Sequence, residues 1–552
     1  MMIVEQLLLQ LKESGIRLTL KQGKLLVHAN KAVLNDELKT QLKEHKEAII
    51  RYLSNNNTEH HRPVASALRA ERIPLSFSQY RLWFIDSLQG MTPEYNMPLA
   101  LKVEGQFDVA VAQQALKKII ARHEVLRTNI LDDRGVPYQV IQDDFEFHVE
   151  RYDLTADTLS DQQTKSRQLI SELIVKPFDL KNDLMVRCAF IHTIGENILL
   201  FNMHHIASDG WSFGVLVREF TALYEAIENK KDDPLPQLTI QYADYAQWQR
   251  DYLSGDVLSD KLDYWRTKLS DLPIVHSLPL DFPRPTEKQV AGEVVVSKVD
   301  LDVKQRLSEL AKAQKMTPFM LLHAALALVL SRHSHNHDIV IGTPIANRTH
   351  VELESLIGFF VNTLVLRVNT DFDDTEAYLT HVKEVHREAQ NNQDLPFDKL
   401  LEHLDVPRVS SHAPIFQILF SMEVNSDGDL SIPRVNFSQL SNTEELVQFD
   451  LDIKAKITPT GINVYWKFDT VLFTRSSIQS LAEHLNTLLS NLVNAPLKAV
   501  SKLPIMSEEE LHYLTHQLNQ NAAHYPQASC VHSLFEQQAQ VQPDAIAVRY
   551  SE

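Results

Sequence analysis

Helical and strand periodicities alternate along residues 74–500, and this alternation limits the possible folds more than any other feature of the sequence. Asp108 is suited to cap the first long helical pattern, because its carboxylate can accept hydrogen bonds from free backbone N–H groups. Apolar residues then recur at helical spacing, at Ala112, Leu116, Ile119 and Ile120. A helix with one apolar face has to pack against another element, so the chain is expected to contain a layered core.

Two strand pairs are predicted among the helices. Residues 187–192 and 198–203 are apolar and flank a short polar turn, which is typical of an antiparallel pair. Residues 451–457 and 462–468 alternate apolar and polar side chains around a turn that contains Gly461. This order of elements indicates mixed sheets covered by helices in two lobes of comparable length, so the sequence predicts an α+β fold.

The flanking residues differ from this central part. Residues 1–54 predict a small α/β unit, because two helical patterns enclose a hairpin signature around Gly23. This unit carries seven Lys and two Arg against six acidic residues, which suggests an acidic partner, although solvated lysines are the commoner explanation. The predicted division of the chain is 1–54, a linker at 55–73, lobes at 74–270 and 271–500, and a final segment at 501–552.

The final segment predicts a connector, then a helix, a break at Pro543 and the start of a strand. Because a strand begins where the sequence stops, we expect the sequence to be part of a longer protein.

Composition argues against several classes of function. The net charge of −18 disfavours nucleic-acid binding, which requires a basic face. The sequence has no run of about eighteen apolar residues, so no membrane span is expected. The only cysteines, Cys188 and Cys530, lie far apart, so no disulfide framework is predicted. A reducing, cytoplasmic location is therefore expected.

One group of reactive side chains stands out, and it follows the apolar strand pattern that ends near residue 203. His204 and His205 are adjacent, and Asp209 and Gly210 follow before a helix expected to start near Ser212. Neighbouring residues of a strand point to opposite sides, so one imidazole is expected to face a cavity and the other to be buried. A neutral imidazole can take a proton from an attacking nucleophile near pH 7.

Two other residues of this group have several possible roles. Asp209 could orient an imidazole or pair with an arginine to hold the loop. Gly210 lacks a Cβ atom, which permits a tight turn and the close approach of a slender substrate arm. A pair of buried histidines that only bonds backbone groups remains an alternative, and a metal site would need a third ligand, which is not apparent.

The residues 204–210, HHIASDG, resemble the HHxxxDG motif of condensation domains in nonribosomal peptide synthetases. That family is built from two chloramphenicol-acetyltransferase-like lobes, which the resemblance implies here in a V arrangement. Further blocks of the family occur in the same order, and they carry Gln79 and Arg81, then His123 and Arg127, then Tyr242 and Trp248, then 357–367, Pro396 and Phe397, and finally Ser411–Gln417. Residues 94–101, 208–212 and 411–417 resemble the subtype that joins an L-configured donor to an L-configured acceptor.

The resemblance also implies roles for single residues. His205 is expected to contact the amine of the acceptor substrate, either as a general base or as a positioning group, and His204 is expected to be structural. Asp209 is expected to pair with Arg348. Gly210 completes the motif, and the residues expected to support the site are Arg348, Trp211, Ser212 and Arg127.

Partners follow from the same resemblance. Residues 1–54 resemble TubC-like docking domains, which capture the tail of an upstream subunit and sometimes dimerise, and residues 531–548 resemble the start of an adenylation domain. No cofactor or metal is expected on this chain, because the 4'-phosphopantetheine arms are supplied by carrier proteins. Two alternatives stay open: a CoA-dependent acyltransferase of the same fold and a non-catalytic platform that recruits carriers.

Overall fold

The structure is a computed structural model, and it describes only part of the chain. The described residues are 17–21, 24–28, 64–66, 69–288, 291–404, 406–407, 409–424, 431–432, 435–440, 447–494, 499–521, 523 and 529–550. The two helices predicted near residues 3–11 and 35–53 lie outside these ranges. The hairpin predicted between them is confirmed as an antiparallel strand pair in which Lys21 is opposite Lys24.

Seventeen strands are present among the described residues. They are β1 (Arg17–Lys21), β2 (Lys24–His28), β3 (Ile73–Pro74), β4 (Asn96–Gly105), β5 (Thr128–Asp133), β6 (Val136–Ile141), β7 (Glu150–Asp153), β8 (Val186–His192), β9 (Asn197–His204), β10 (Gly292–Asp300), β11 (Asp338–Ile345), β12 (Asn362–Asn369), β13 (Ile418–Val424), β14 (Ser431–Ile432), β15 (Val435–Gln439), β16 (Leu451–Thr458) and β17 (Gly461–Asp469).

Thirteen α-helices accompany them in the same described ranges. They are α1 (Phe77–Gln89), α2 (Val109–Arg122), α3 (Leu159–Val175), α4 (Gly210–Glu228), α5 (Tyr242–Tyr252), α6 (Gly255–Lys268), α7 (Leu301–Gln314), α8 (Pro318–Ser334), α9 (Thr375–Asn391), α10 (Phe397–His403), α11 (Arg475–Asn494), α12 (Glu508–His512) and α13 (Val531–Val541).

Two six-stranded sheets form the centres of the two lobes. The first has the order β14-β15-β4-β9-β8-β7, and the second has the order β10-β17-β16-β13-β11-β12. Each sheet contributes to a large apolar core of its own, in which Phe201 and Trp466 are among the fully buried side chains. Helices cover these sheets because each helix has an apolar face that needs a partner surface.

The predicted elements of the first lobe are confirmed. Asp108 caps α2 by accepting hydrogen bonds from the N–H groups of Ala110 (2.7 Å) and Val111 (3.2 Å). The four residues predicted to form its apolar face, Ala112, Leu116, Ile119 and Ile120, are all buried. Strands β8 and β9 form the predicted antiparallel pair, and β9 ends at His204. In the second lobe, β16 and β17 form the predicted hairpin around Gly461.

The division at residues 270 and 271 does not separate the two sheets. Strand β15 pairs with β4 of the first sheet, with Val435 opposite Gly105 and Gln439 opposite Leu101. Residues of the segment 353–360 also pack in the first core. The range 271–500 therefore does not form a single lobe. Strand β9 pairs with only one edge of β4, and β15 from the later half of the chain pairs with the other edge.

The predicted linker and the predicted connector each contain a residue that is buried against one of the lobes. Val64, in the predicted linker, is 3% exposed within the first core. After residue 500, Leu503 is buried in the second core, and the guanidinium of Arg332 donates hydrogen bonds to the carbonyls of Val500 and Leu503. The predicted boundaries at 73 and 501 therefore fall inside the packed chain.

The predicted strand after Pro543 is wrong for the described residues, which contain α13 and no later strand. Ile546 and Val548 are 73% and 85% exposed. A strand needs the hydrogen bonds of a neighbouring strand, and no strand lies beside this segment in the described part of the chain.

No single helix among the described residues is both long and apolar enough to cross a membrane. In the described part of the chain, one sharply bent pair, α7 and α8, reaches that length and composition when the two helices are joined.

We expect Gly342→Ala to destabilise the second lobe. A Cβ atom on Gly342, in β11, would lie 2.2 Å from the ring of Phe416, which is itself buried. Forcing a methyl group into a filled core costs about 1–3 kcal/mol. Urea unfolding of the variant should show that loss, whereas Gly195→Ala, where a Cβ atom has no heavy atom within 4 Å, should not. Equal stability of the two variants would contradict the packing described for β11.

Candidate active site

The two histidines lie where the chain leaves the first sheet. His204 is the last residue of β9, and His205 begins the short 3-10 turn His205–Ala207. The side chain of His204 is buried, whereas His205 is only partly buried. The two imidazoles therefore have different surroundings, as the alternation of side chains along a strand predicts.

The ring of His205 is held in one tautomer. Its Nδ1 atom lies 2.8 Å from the carbonyl oxygen of Ser208. Because a carbonyl can only accept, Nδ1 carries the hydrogen of the neutral ring and Nε2 keeps its lone pair. Burial lowers the pKa of His205 below its ordinary value, and the hydrogen bond to Ser208 opposes this shift in part. The ring is therefore neutral near pH 7, which is the form that accepts a hydrogen bond or a proton.

His204 supports the loop. Its Nδ1 accepts a hydrogen bond from the N–H of Ile206 at 3.1 Å, and its ring packs edge-on against Phe178. Burial lowers the pKa of His204 to about 3, so this ring is neutral near pH 7.

Asp209 takes the second of its two possible roles, because it pairs with an arginine. Its carboxylate caps α4 by accepting the N–H of Ser212 at 2.8 Å, and it accepts the N–H of Phe360 at 3.0 Å. The Nη2 atom of Arg348 lies 3.2 Å from Oδ1. Within the described ranges the carboxylate has no hydrogen bond to either histidine, so it holds the loop and does not orient an imidazole. The helix starts at Gly210, two residues before the predicted start.

Arg348 bonds backbone carbonyls of the later half of the chain as well as the carboxylate of Asp209. The side chains of Arg348 and Asp209 are both 2% exposed. The Nη1 atom of Arg348 donates to the carbonyls of Leu356, at 2.6 Å, and Leu353. Burial lowers the pKa of Arg348, while the charge of Asp209 raises it. The predicted Asp209–Arg348 pair is therefore present, and it joins the motif to the later half of the chain.

Three neighbours of the motif have distinct positions. The Oγ atom of Ser212 lies 2.7 Å from Asp209 Oδ1 and 3.1 Å from Arg348 Nη2. Trp211 is 44% exposed, and its Nε1 donates to the carbonyl of Glu354 at 3.0 Å. A Cβ atom on Gly210 would meet no heavy atom within 4 Å, and its φ lies outside the left-handed region. The tight-turn explanation for Gly210 is therefore wrong, whereas the open space beside it permits a close approach by another molecule.

Arg127 does not join this group. Its guanidinium donates to the carbonyls of Gln142 and Ala121, at 2.5 and 3.4 Å. These contacts fix the start of β5 against α2 and the end of β6, and none involves the motif. The expectation that Arg127 supports the site directly is therefore not met, because its side chain is used to hold the turn before β5.

A segment from the later half of the chain, residues 357–360, is anchored by side chains of the first lobe; we call it the interlobe strap. The N–H of Ile357 donates to Nδ1 of His123 at 3.3 Å, and the N–H of Gly358 donates to Oγ of Ser212 at 3.1 Å. The hydroxyl of Tyr242 donates to the carbonyl of Phe359 at 2.7 Å. The strap also needs a glycine, because a Cβ atom on Gly358 would lie 2.2 Å from the ring of Tyr242.

The strap places an aromatic ring on the candidate catalytic residue. The ring centroids of Phe359 and His205 are 4.5 Å apart. The amide of Gln79 holds the same loop by donating to the carbonyl of Ile206 at 3.2 Å. Sequence reasoning assigned no role at the site to Phe359, His123, Tyr242 or Gln79. All four belong to the sequence blocks that resemble the family. The periodicity of the sequence does not predict that their side chains contact the strap or the loop of His205.

The two six-stranded sheets are thus accompanied by a site in which the neutral His205 follows β9 and the buried Asp209–Arg348 pair holds the same loop. The chain matches the family model described as condensation domain over residues 69–515 and the model described as TubC N-terminal docking domain over residues 4–55. The chain therefore belongs to the condensation-domain family, whose members catalyse peptide-bond formation in nonribosomal peptide synthetases. The predicted α+β fold with two chloramphenicol-acetyltransferase-like lobes is confirmed.

The curated relatives that match are much longer proteins. The chain is 37% identical over 491 residues to malpinin synthetase of Mortierella alpina, covering 89% of the chain and 6% of that protein. It is 36% identical over 496 residues to bacitracin synthase 3 of Bacillus licheniformis, covering 89% of the chain and 8% of that protein. The chain thus spans less than a tenth of the length of these relatives.

Solved structures show the same fold. An X-domain in complex with OxyB from teicoplanin biosynthesis matches with a TM-score of 0.72 and 27% identity, covering 81% of the chain and 99% of the X-domain. A cyclization-docking bidomain from Sorangium cellulosum matches with a TM-score of 0.65 and 20% identity, covering 90% of the chain and 99% of the bidomain. Because the bidomain is only 20% identical to this chain, its similarity supports the fold and nothing further.

We expect Arg348→Leu to destabilise the protein strongly. The change leaves the buried charge of Asp209 without its partner, and breaking one side of a buried pair costs about 3–5 kcal/mol. Arg475→Leu is the matched control, because Arg475 pairs with Glu293 at 3.0 Å while both side chains are about half exposed. Removing such a surface pair should cost about 0–1 kcal/mol. Similar unfolding midpoints in urea for the two variants would contradict the role given to Arg348.

Proposed function

We propose that this chain forms an amide bond between two carrier-bound substrates, with His205 at the reacting centre. An upstream carrier supplies an aminoacyl or peptidyl thioester, and a downstream carrier supplies an aminoacyl thioester with a free amine. The observation that carries this proposal is the fixed tautomer of His205, which leaves Nε2 free to accept a hydrogen bond. The intact motif on a condensation-domain fold supports it.

The chemistry balances without a cofactor on this chain. The acceptor amine attacks the carbonyl carbon of the donor thioester, a C–N bond forms, and the C–S bond breaks. Nε2 of His205 accepts a hydrogen bond from the amine and orients its lone pair, and the proton that the nitrogen loses ends on the departing sulfur. The product, one residue longer, remains on the downstream carrier. Thioesters are already activated, so the positioning of two tethered reactants supplies much of the acceleration.

The subtype proposed is the one that joins an L-configured donor to an L-configured acceptor. It is supported by the sequence blocks at residues 94–101, 208–212 and 411–417. The intact His204 disfavours a heterocyclization domain, in which an Asp is expected at that position. The blocks at 357–367 and 411–417 disfavour epimerization.

Two other functions compete with this one. A CoA-dependent acyltransferase shares the fold and the use of a histidine, and turnover of free acyl-CoA without a carrier would favour it. A non-catalytic platform is the other candidate, and the X-domain that resembles this chain is described in complex with a second protein, OxyB. The neutral, partly exposed His205 and the complete motif favour catalysis over the platform.

Neighbouring units are part of the same proposal. Residues 1–54 dock the C-terminal tail of an upstream subunit, in keeping with the match to a docking-domain model and with the strand pair β1–β2, because strand addition is a common way to capture an extended peptide. The same unit is also a candidate surface for the formation of a homodimer.

Residues 531–548 begin an adenylation domain, and the carrier follows it in the same polypeptide. The 4'-phosphopantetheine arms belong to the carriers, and the assembly works in the cytoplasm without nucleic acid or membrane.

We expect His205→Ala to lose nearly all amide formation while the fold is kept, because Nε2 is removed and the side chain bears little of the core. Two defined carriers, loaded with donor and acceptor, are mixed in a single turnover and the product is scored by mass spectrometry. His192→Ala is the matched control, since His192 is exposed and, among the described residues, its ring forms a hydrogen bond only with the side chain of Asn197. Product formation by His205→Ala at the wild-type rate would count against the assignment. L- and D-configured donors in the same assay test the subtype.

We expect deletion of residues 1–54 to weaken transfer from the upstream subunit without changing transfer from a free, loaded carrier. The reason is that docking raises the effective concentration of the donor and makes no contact with the reacting atoms. The rate is measured at several concentrations of the upstream subunit with each donor. Loss of activity with both donors would instead show that the unit is needed for the lobes themselves.

A further inference from the structure

His123 is a fully buried histidine for which the amide-forming mechanism has no direct use. It follows the last residue of α2 and is 1% exposed. Its two ring nitrogens bond two different elements. Nδ1 accepts the N–H of Ile357 in the interlobe strap at 3.3 Å, and Nε2 lies 2.8 Å from a carboxylate oxygen of Glu219 in α4.

These contacts fix the tautomer of the His123 ring. The N–H of Ile357 can only donate, so Nδ1 must carry a lone pair, and the hydrogen of the neutral ring is on Nε2, where the carboxylate accepts it. Glu219 is held in turn by Arg122, whose Nε donates to its other oxygen at 2.9 Å. The ring thus joins α2, α4 and the strap, and a side chain that could only accept, or only donate, would leave one of these groups unpaired.

The strap is the part of this network that reaches the candidate catalytic residue. Two residues after Ile357, the ring of Phe359 lies against His205, and the next N–H, of Phe360, is bound by Asp209. Displacement of Ile357 would therefore move Phe359 and admit water to the ring of His205.

We propose that His123 is a positioning residue for His205, which acts by holding the interlobe strap so that Phe359 covers the His205 imidazole. The importance of this for catalysis rests on the proposed function, whereas the placement of the ring does not. His123 touches no reacting atom, so its effect is expected on the environment of His205 and not on the chemistry directly.

The test is the pKa of His205, measured by NMR on protein with ¹³C-labelled histidine, with the His205 signal assigned by its loss in His205→Asn. Burial lowers this pKa, so a loosened strap should raise it toward the ordinary value. The charged groups that act on His205, Asp209 and Arg81, are unchanged in the variants. We expect His123→Leu to raise the pKa of His205 by about 0.5–1 unit. The acid limb of the pH–rate profile should move to higher pH by the same amount.

Two further variants separate positioning from general destabilisation. His123→Asn keeps an acceptor for the N–H of Ile357 and should leave the pKa of His205 near the wild-type value. His386→Leu is the matched control, because His386 is buried and bonds His323 at 3.0 Å in the second lobe. It should lower stability without moving that pKa.

An unchanged pKa of His205 in folded His123→Leu, or an equal rise in His386→Leu, would overturn the proposal. If His123→Leu does not fold, His123→Ser takes its place, since the smaller side chain leaves room for water to bond the freed N–H. The NMR measurement needs no substrate, so it stands even if His205→Ala keeps full activity and the proposed function fails.

Discussion

The carboxylate of Asp209 is the interaction on which the rest of the site depends. It is buried, yet both of its oxygens are used: one accepts the N–H of Ser212 in the first turn of α4 and the other accepts the N–H of Phe360. Arg348 supplies the opposite charge, and a buried charge without such a partner would be very unfavourable. The loop that carries His205 therefore has one stable arrangement only when the two halves of the chain are together. The motif therefore connects the two halves of the chain through Asp209, in addition to carrying the candidate catalytic residue.

Much of this could be predicted from the sequence. The cap at Asp108, the strand pair that ends at His204 and the hairpin around Gly461 are local features, so periodicity and turn residues are sufficient to locate them. The different surroundings of His204 and His205 followed from the alternation of side chains along a strand, whereas family resemblance indicated which of the two is the buried one. The Asp209–Arg348 pair was predicted by family resemblance, because spacing alone left the partner of Asp209 open.

The rest depends on contacts between residues that are far apart in sequence. Nothing in the pattern of Val435–Gln439 indicates that this strand pairs with β4 of the other lobe. Phe359 reads as an ordinary apolar residue, and only the folded strap places it on His205. Arg127 was grouped with the site because it stands in a characteristic block, yet its hydrogen bonds serve the turn before β5. The strand expected after Pro543 failed for a related reason, since a strand is defined by its neighbour and not by its own residues.

Strand β15 belongs to the later half of the chain but pairs within the first sheet, so it links the two halves by backbone hydrogen bonds. The chain builds the first sheet, goes on to the second, and returns at β15 to lie beside β4, which is itself next to the strand that ends at His204. Separating the two halves of the chain would break this ladder of backbone hydrogen bonds. The sheet that carries His204 is therefore anchored to the later half of the chain by backbone pairing, in addition to the side-chain contacts that hold the interlobe strap.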